Sequence, residues 1–485
     1  MKTIYISILS IALLFSGWGC SNFLDVDSRE RVEEKDKDDV YTPEMFVNGV
    51  YGMFTEWDYA FSYLAITEII SDNADKGSSP TDPGSDKDLF DNLTFTSGSG
   101  SVDAMWTRWY KTIGRATKAI EFTDSTAMDD AKYKNRLIGE AKFLRAVSYF
   151  YLVRGWGDVS IQDKDVLTRA PKAEVYAYIE QDLKDAMAAL PDKYTDDKDL
   201  GRATKGAAQG LLSKVYLYQE KWQEAYDNAS QVISNAAYGY DLIDYSLIWR
   251  VEGENSAESL FEIQASGGSP AHGVQQYSQT QGIRGGTANI GWGFNTPTQD
   301  LLNAFNAEES ITPGVTGDVI RRDATIIFNN STLYDGTVVS GAENPMYNMK
   351  AYSSASRGAA DGDKNIRYLR LGEIYLIKAE AANELGKITG EDGALAALNK
   401  IRDRAKLKRV TTENQDELRK AIWHERRLEL AFEHDRWFDL IRTGQAESVM
   451  KAHGKPFVKG KHELFPISNT QILNTPTLGQ NPGWS

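Results

Sequence analysis

Residues 203–235 read "ATKGAAQGLLSKVYLYQEKWQEAYDNASQVISN" and give the clearest indication of the fold class. Two helical patterns are separated by a short turn, with Ser213 on the first helix and Trp222 just after the turn. Ala225 and Ala229 follow on the second helix, one helical turn apart. Small residues where two helices cross, with an aromatic residue near the turn, are typical of a tetratricopeptide unit. The stretch therefore predicts an antiparallel helical hairpin of that type.

A second hairpin of the same kind is predicted at residues 368–402, "YLRLGEIYLIKAEAANELGKITGEDGALAALNKIR". Ala379 and Ala382 belong to its first helix and Ala394 to its second, and its turn is a few residues longer than the standard repeat allows. Apolar residues recur at helical spacing in four further segments: residues 42–56, 105–122, 135–154 and 175–190. These patterns predict a mainly α protein built as a superhelix of paired helices.

The segment 418–444, "LRKAIWHERRLELAFEHDRWFDLIRTG", is apolar nearly all round between Ile422 and Ile441. It therefore predicts one long, buried helix. Charges on a buried helix need partners, so we expect its ionic residues to form a structural network of ion pairs that fixes the register of the helix. An acid–base role in catalysis is the alternative. The residues concerned are Glu425, Arg426, Glu429, Glu433, Arg436 and Asp439.

Two regions interrupt the helical frame. Residues 72–103 contain seven Asp among Gly, Ser and Pro, and residues 265–300 contain eight Gly in 36 positions. Residues 311–365 are likewise poor in helical pattern. Loops of this length inside a compact protein are usually functional or disordered. Aromatic residues in a glycine-rich loop do not belong to the apolar face of a helix. A ligand-binding role is therefore the natural hypothesis for those in 265–300.

The N-terminus predicts export and lipid attachment. Lys2 precedes a twelve-residue apolar stretch, which is too short to cross a bilayer as a helix and is typical of a cleaved signal peptide. The stretch leads to Gly19-Cys20, the end of a lipobox in which Gly17 and Trp18 depart from the usual aliphatic and small residues. We predict a signal peptide at residues 1–19, a lipid on Cys20 and an acidic, solvated tether at residues 20–40.

Composition excludes several classes of function. The net charge of −15 at pH 7 disfavours nucleic acid, whose binders present basic patches, and it also disfavours a basic membrane-binding face. Cys20 is the only cysteine, so the mature chain has no cysteine nucleophile, disulfide framework or thiolate metal site.

Enzyme motifs are also missing from the sequence. The five histidines include no H-E-x-x-H or other metal spacing, and "GIRGGTANIGWG" does not have the spacing of a dinucleotide-binding loop. "GGSPAHG" is not a nucleophile elbow. Asp72 and Asp75 could act as the two carboxylates of a glycosidase, but solvated loop acids are the simpler interpretation. The aspartate-rich loop lacks the spacing of a calcium-binding loop as well. We therefore predict no enzyme activity, no cofactor and no metal.

Five segments taken in order resemble the SusD/RagB family of outer-membrane nutrient-binding lipoproteins of Bacteroidetes. They are "EAKFLRAVSYFYLVRGWGDV", "GRATKGAAQGLLSKVYLY", "IRYLRLGEIYLIKAEAANELG", "HERRLELAFEHDRWFDLIRTG" and "LFPISNTQILNTPTLGQNPGW". Together with the lipobox they span nearly the whole mature chain. No single segment is decisive, and the ordered set is specific.

The resemblance implies a single α-rich domain over residues 41–485. In it, a tetratricopeptide-like frame at about 41–240 and 366–442 supports an irregular, loop-rich ligand-binding half at about 241–365. It further implies a lipid-anchored, surface-exposed protein of the outer membrane that binds glycan without cleaving it. The partner implied is a TonB-dependent β-barrel transporter, to which the captured polysaccharide or oligosaccharide is delivered.

A sugar offers an apolar C–H face and a rim of hydroxyls, so we expect aromatic platforms together with polar partners. One ring that covers about 60–80 Å² contributes roughly 1.5–2 kcal/mol, and two rings with a few hydrogen bonds give a dissociation constant near 0.1 mM, as an order of magnitude. The platform candidates are Trp292, Phe294, Tyr277 and Trp57, and the polar candidates are Asp72, Asn73, Arg284 and Asn295.

Three other functions stay open at the level of sequence. Some relatives in the family bind peptides, so the class of ligand is less secure than the fold. A glycoside hydrolase would use the aspartate-rich loop. A protein-interaction scaffold of tetratricopeptide type would bind peptides and ignore sugars.

Overall fold

Helical hairpins form the frame of the molecule. The computed structural model describes residues 41–79, 81–82, 86–162, 168–265, 275–353 and 364–484. The predicted signal peptide, the tether and the lipid site at Cys20 lie outside the described residues. Residues Pro43–Ser485 form one compact unit.

The α-helices are, in chain order, α1 (Pro43–Gly52), α2 (Trp57–Ala60), α3 (Ser62–Leu64), α4 (Lys87–Asp91), α5 (Gly100–Ser125), α6 (Ala131–Trp156), α7 (Lys172–Ala189), α8 (Lys205–Leu217), α9 (Trp222–Ser234), α10 (Tyr245–Ile248), α11 (Gln275–Gln281), α12 (Gln299–Asn306), α13 (Val319–Thr325), α14 (Leu371–Glu384), α15 (Ala394–Arg404), α16 (Gln415–Glu429), α17 (Arg436–Arg442), α18 (Ala446–Ala452) and α19 (Asn469–Asn474). Short 3-10 turns occur at Met53–Thr55, Asp197–Asp199, Val251–Gly253, Gly286–Ala288 and Pro476–Leu478, and a π-helical turn at Ala65–Ile69.

The predicted hairpin at residues 203–235 is confirmed as α8 and α9. Thr204 caps α8, because its side chain accepts a hydrogen bond from the Ala207 backbone N–H. Ala225 and Ala229 are fully buried on the inner face of α9. Small side chains at these positions let the two helix backbones approach each other closely.

The second predicted hairpin is confirmed as α14 and α15, with the long turn that its sequence requires. Ala379, Ala382 and Ala394 are all fully buried. Helix α9 packs on α14, although more than a hundred residues separate them in the chain. The two hairpins therefore stack directly, and the segment between them emerges from the helical frame as an insertion.

Short antiparallel strand pairs organise the insertion and its surroundings. Near the ends of the insertion, β2 (Ser259–Ile263) pairs with β8 (Ile366–Arg370) and holds both ends beside α8. The other pairs are β1 (Ala74–Gly77) with β3 (Phe294–Pro297), β4 (Ile326–Phe328) with β7 (Met346–Asn348), and β5 (Ser331–Thr332) with β6 (Val338–Val339).

The prediction of one helix across residues 418–444 is wrong, because the chain breaks between α16 and α17. Phe432 and His434 have φ angles of 63° and 69°, which a right-handed helix does not allow. The break turns the chain so that Glu433 meets Lys350, with Nζ 2.7 Å from Oε1. Helix α16 buries Leu418, Ile422 and Leu428, and α17 buries Trp437, Phe438 and Leu440.

The predicted structural network of ion pairs is confirmed. Glu429 is buried among three arginines, with Arg370 Nη1 at 2.6 Å, Arg321 Nη1 at 3.0 Å and Arg404 also paired. These guanidinium groups overcome the burial that would raise the pKa of the Glu429 carboxyl, and they hold that pKa well below its usual range. The remaining residues of the predicted set are also in ion pairs: Glu425, Arg426, Glu433, Arg436 and Asp439.

Candidate functional site

Two tryptophans from distant parts of the chain form an exposed pair. Trp57 begins α2, and Trp292 lies just before β3. Their ring centroids are 5.6 Å apart with planes inclined by 58°. The side chains are 37% and 38% exposed, although both are large and apolar. Large apolar side chains grouped at a surface are typical of binding sites.

Phe61 and Phe294 lie on the inner side of this pair. Phe61 lies 5.4 Å from Trp57 and 6.4 Å from Trp292, ring centroid to ring centroid. It also contacts Phe294 edge-on at 4.9 Å, and Phe294 is only 5% exposed. We call Trp57, Phe61 and Trp292 the aromatic patch. Phe294, predicted as a platform, instead backs the patch from the interior.

A buried cation lies against Phe61. The Lys87 Nζ is 3.8 Å from the centroid of the Phe61 ring and also 3.1 Å from Asp86 Oδ1. Lys87 comes from α4 in the aspartate-rich region and is only 3% exposed. This cation–π contact fixes the orientation of Phe61 and therefore the floor of the aromatic patch.

Close backbone packing orients Trp292. A Cβ on Gly291 would lie 2.4 Å from both the Gln279 carbonyl oxygen and the Gly282 Cα, so only glycine fits there. The Trp292 backbone N–H donates to the Gln279 carbonyl at 2.9 Å. Gly293 follows with a φ of +74°, which favours glycine. The glycines that flank Trp292 therefore hold it in a tight, defined turn.

One buried hydrogen bond joins the two segments that carry the tryptophans. The Thr280 hydroxyl of α11 donates to the Ala60 carbonyl at the end of α2, at 2.8 Å. Thr280 is fully buried. This bond fixes the segment that leads to Trp292 against the helix that carries Trp57.

Arg284 is the polar candidate that remains accessible. Its guanidinium donates to the Ser78 hydroxyl at 2.8 Å, pairs with Asp82 and lies 3.1 Å from the Glu343 carboxylate. The hydrogen bond to Asp82 raises the pKa of Arg284 further. The Arg284 Cβ lies 3.0 Å from the position that a Cβ on Gly293 would take. Arg284 is therefore next to the turn that presents Trp292.

Asp72 and Asn73 do not reach the surface. The Asp72 carboxylate receives two hydrogen bonds from Arg436, both 2.8 Å, and lies 3.0 Å from Arg427 Nη2. Burial alone would raise the pKa of Asp72, but the two arginines hold it well below the usual range. Asn73 is fully buried, and its Oδ1 accepts from Arg427 Nε at 2.8 Å. Both residues brace the loop and do not face solvent.

Tyr277 and Asn295 are also buried. The Tyr277 hydroxyl is 2.7 Å from His434 Nε2, and burial raises the pKa of this tyrosine well above its usual value. Asn295 donates to Gln281 Oε1 at 2.8 Å and has a φ of 58°. These side chains tie the segments around Trp292 to the interior. The structure thus pairs Trp57 with Trp292 near the surface, leaves Arg284 partly exposed next to Gly293, and buries the other five candidates.

Sequence reasoning missed several residues of this site. Phe61 follows Trp57 by four residues, a spacing that often places aromatic rings side by side, so a signal for it was available. Thr280 and Lys87 carried no signal, because their roles depend on contacts between distant segments. Among the described residues, no group of three or more His, Cys, Asp or Glu is arranged to hold a metal ion. Within the same ranges, no helix combines the length and apolar character needed to span a membrane.

The fold and the site define a class: a helical-repeat protein that presents an exposed aromatic surface beside a loop-rich insertion. Residues 257–484 match the family model described as the SusD family. Residues 22–217 match a second model, described as starch-binding associating with outer membrane. Together these two matches cover most of the chain.

The individual proteins to which the chain is similar are also SusD-like. SusD-like protein P2 of Formosa agariphila is 28% identical, over 98% of this chain and 98% of its own. A solved laminarin-binding SusD-like protein is 27% identical with a TM-score of 0.75, over 91% of this chain and 99% of its own. A SusD-like protein of Bacteroides fragilis is 25% identical with a TM-score of 0.76, over 91% and 96%. The chain belongs to the SusD/RagB family, as its sequence predicted.

Proposed function

We propose that this protein binds glycan at the aromatic patch and does not cleave it. The observation that carries the proposal is the exposed pair of Trp57 and Trp292, whose rings meet at 5.6 Å. Two inclined indoles can cover the C–H faces of adjacent sugar units. Support also comes from a related protein of the same fold that binds laminarin.

The state of Asp72 favours binding over hydrolysis. A general acid must keep its proton near neutral pH, and the nucleophile or base beside it must reach the substrate. Asp72 is only 1% exposed and is neutralised by Arg436 and Arg427. A carboxylate held this far below its usual pKa cannot act as the acid of a glycosidase pair.

The experiment is calorimetric titration of the mature protein, residues 20–485, with a panel of neutral oligosaccharides that includes laminarin fragments. We expect a dissociation constant on the order of 0.1 mM for the cognate sugar. Trp292→Ala should weaken binding by roughly 10- to 30-fold, because one ring platform is lost. The melting temperature should change little.

The matched control is Tyr41→Ala. Tyr41 is 40% exposed, close to the 38% of Trp292, and it lies outside the aromatic patch. It should leave the affinity for neutral sugars unchanged. Unchanged affinity of Trp292→Ala with a large fall in melting temperature would overturn the proposal, as would release of reducing ends from the glycan or selective binding of peptides.

The proposal extends to a role at the cell surface. The protein is lipidated at Cys20, held at the outer membrane, and delivers glycan to a TonB-dependent β-barrel transporter. Cys20→Ala should abolish labelling with a fatty-acid probe and release the protein from the membrane fraction. Pull-down from detergent-solubilised native membranes should recover a large β-barrel with the protein. Retained labelling of Cys20→Ala, or recovery of the protein alone under conditions that preserve other envelope complexes, would contradict these assignments.

A further inference from the structure

A second pocket lies away from the aromatic patch residues. It has a volume of about 520 Å³ and is lined by α10, α13 and the hairpin of β5 and β6, with Arg404 and Lys406 from the end of α15 and the turn after it. Small-molecule sites in proteins typically have volumes of about 300–1,000 Å³, so the pocket is large enough for a saccharide unit. No residue of the aromatic patch lines it.

Two cations that line this pocket, Arg250 and Lys406, form no close ion pair with another residue in the described part of the chain. Arg404 differs, since Glu258 and Glu429 already neutralise it. Arg250 is instead held by stacking, with its Cζ 4.3 Å from the centroid of the Tyr334 ring.

Two acidic residues, Asp244 and Asp323, also line the pocket, and each has hydrogen-bond partners of its own. The Asp244 carboxylate accepts hydrogen bonds from the Ser246 backbone N–H at 2.9 Å and from the Ser246 hydroxyl at 2.7 Å. The Asp323 carboxylate accepts from Arg322 Nε at 2.8 Å. The Ser246 hydrogen bonds, and then the nearby Arg250 and Arg404, hold the pKa of the Asp244 carboxyl below its usual range. Asp244 therefore compensates part of the Arg250 charge, whereas Lys406 adds positive charge to a ligand-sized space.

Two aromatic residues complete the lining. Tyr334 exposes 38% of its surface. Trp249 is only 6% exposed, and its indole Nε1 has no hydrogen-bond partner among the described residues. An exposed ring beside two cations that form no close ion pair suits a ligand with an apolar face and negative charge.

We propose that this pocket is a second saccharide subsite, which takes a sugar unit bearing a carboxylate or sulfate. Tyr334 contacts the sugar ring, and Arg250 and Lys406 bind its anionic group. The inference rests on the proposed function for the saccharide class of ligand. The protein has a net charge of −15, so its overall electrostatic field repels polyanions. An acidic saccharide can bind only where local cations overcome that repulsion.

The pocket is physically linked to the segment that carries Trp292. The Thr287 backbone N–H donates to the Ser340 carbonyl at 2.9 Å, and the Thr287 hydroxyl donates to the Val338 carbonyl at 2.6 Å. These bonds fix the β5–β6 hairpin, which carries Tyr334, to the segment that precedes Trp292. The insertion thus contributes Trp292 to the aromatic patch and Tyr334 to the pocket.

The test uses three tetrasaccharides in calorimetric titrations of the mature protein: tetragalacturonic acid as the carboxylate arm, a sulfated carrageenan tetrasaccharide as the sulfate arm, and neutral cellotetraose. We expect binding in at least one acidic arm that weakens as salt rises. Arg250→Gln should reduce this affinity by roughly 10- to 100-fold, the effect of losing a charged hydrogen bond. Tyr334→Ala should reduce it by about tenfold. The acidic tetrasaccharide that binds more tightly shows whether the pocket prefers a carboxylate or a sulfate.

Three controls separate this inference from the proposed function. Lys420→Gln removes an exposed lysine of α16 outside the pocket and should change nothing. Trp292→Ala should retain acidic binding, and thermal melting should show that Arg250→Gln folds. Absence of acidic binding, or acidic binding that survives Arg250→Gln and Tyr334→Ala, overturns the subsite. In that case, Trp292-dependent binding of neutral glycans from the panel described above would leave the proposed function intact.

Discussion

Asp72 and Arg436, 364 residues apart in the chain, are joined by two hydrogen bonds of 2.8 Å, Nε to Oδ1 and Nη2 to Oδ2. Asp72 is 1% exposed and Arg436 is 9% exposed. The sequence predicted Asp72 as a contact to ligand and Arg436 as part of a structural network. The structure makes them partners, and their pair fixes the loop before β1 to the start of α17.

Arg436→Ala should lower the melting temperature by several degrees. Removing one partner of a buried pair leaves the other charge uncompensated, which typically costs about 3–5 kcal/mol of unfolding free energy. Thermal melting measures the effect. Arg409→Ala is the control, because the pair of Arg409 with Asp403 is solvent-exposed and should change the melting temperature little. Normal melting of Arg436→Ala together with lost glycan affinity would instead place the pair in the binding site.

Trp57→Ala and Trp292→Ala should not act independently. The two rings are in contact and would cover neighbouring sugar faces, so removing either one disturbs the other. Each single change should reduce glycan affinity by roughly 10- to 30-fold. In a double-mutant cycle measured by calorimetry, we expect a coupling of about 0.5–1.5 kcal/mol between the two positions. Strictly additive losses would show that the rings bind separate parts of the ligand without cooperating.

Gly291→Ala should weaken glycan binding although it adds only one methyl group. The new Cβ would meet backbone atoms at 2.4 Å, which forces the turn of residues 282–293 to open and moves Trp292. We expect a loss of about tenfold or more in affinity, approaching that of Trp292→Ala. Gly239→Ala is not a suitable control, because Gly239 has a positive φ. Gly49→Ala in α1 is suitable, since nothing lies within 4 Å of its Cβ position. Unaltered affinity of Gly291→Ala would mean that the turn relaxes without moving the indole.

Glu68 should make stability depend on pH. Burial raises its pKa from 4.5 to about 8, and its Oε2 has no hydrogen-bond partner among the described residues. Between these two values the folded protein keeps a proton that the unfolded chain releases. The bound proton therefore contributes fully to the free energy of unfolding below pH 4.5. This contribution is lost as pH rises through 8, at about 1.4 kcal/mol per pH unit.

Glu68→Gln removes this titration and keeps a carbonyl that can accept from the His434 backbone N–H, as Glu68 Oε1 does. The melting temperature of the variant relative to the original protein should therefore rise steadily from pH 5 to pH 8. Glu413→Gln, at an exposed position, is the control and should show a constant difference. A pH-independent difference for Glu68→Gln would mean that Glu68 is ionised in the folded state throughout this range.

The helical hairpins were predictable because their signals are local. The small residues at 225 and 229 and the apolar spacing of α8 depend only on the 3.6-residue period of a helix. The ionic network was predictable in kind, since charges in an apolar segment must find partners. The break at Phe432 and His434 was not, because it depends on partners such as Lys350 that come from another part of the chain.

The candidate site was predictable only in part. Trp292 lies in the glycine-rich region that the sequence singled out, and its indole is exposed. The sequence also nominated Asp72, Asn73, Tyr277, Phe294 and Asn295 as ligand contacts, whereas the structure buries them. A loop sequence does not reveal which of its polar residues will meet a buried arginine or histidine.

The fold class, the family and the two segments that carry the exposed tryptophans could be predicted from the amino-acid sequence. Each of these depends on helical periodicity or on ordered segments that can be read along the chain. Three spatial relationships could not be predicted in this way: Trp57 with Trp292, Arg436 with Asp72, and Arg250 with Lys406 in the lining of one pocket. Periodicity is a property of neighbouring residues, whereas these contacts depend on how the insertion packs on the helical frame, and that packing places distant residues side by side.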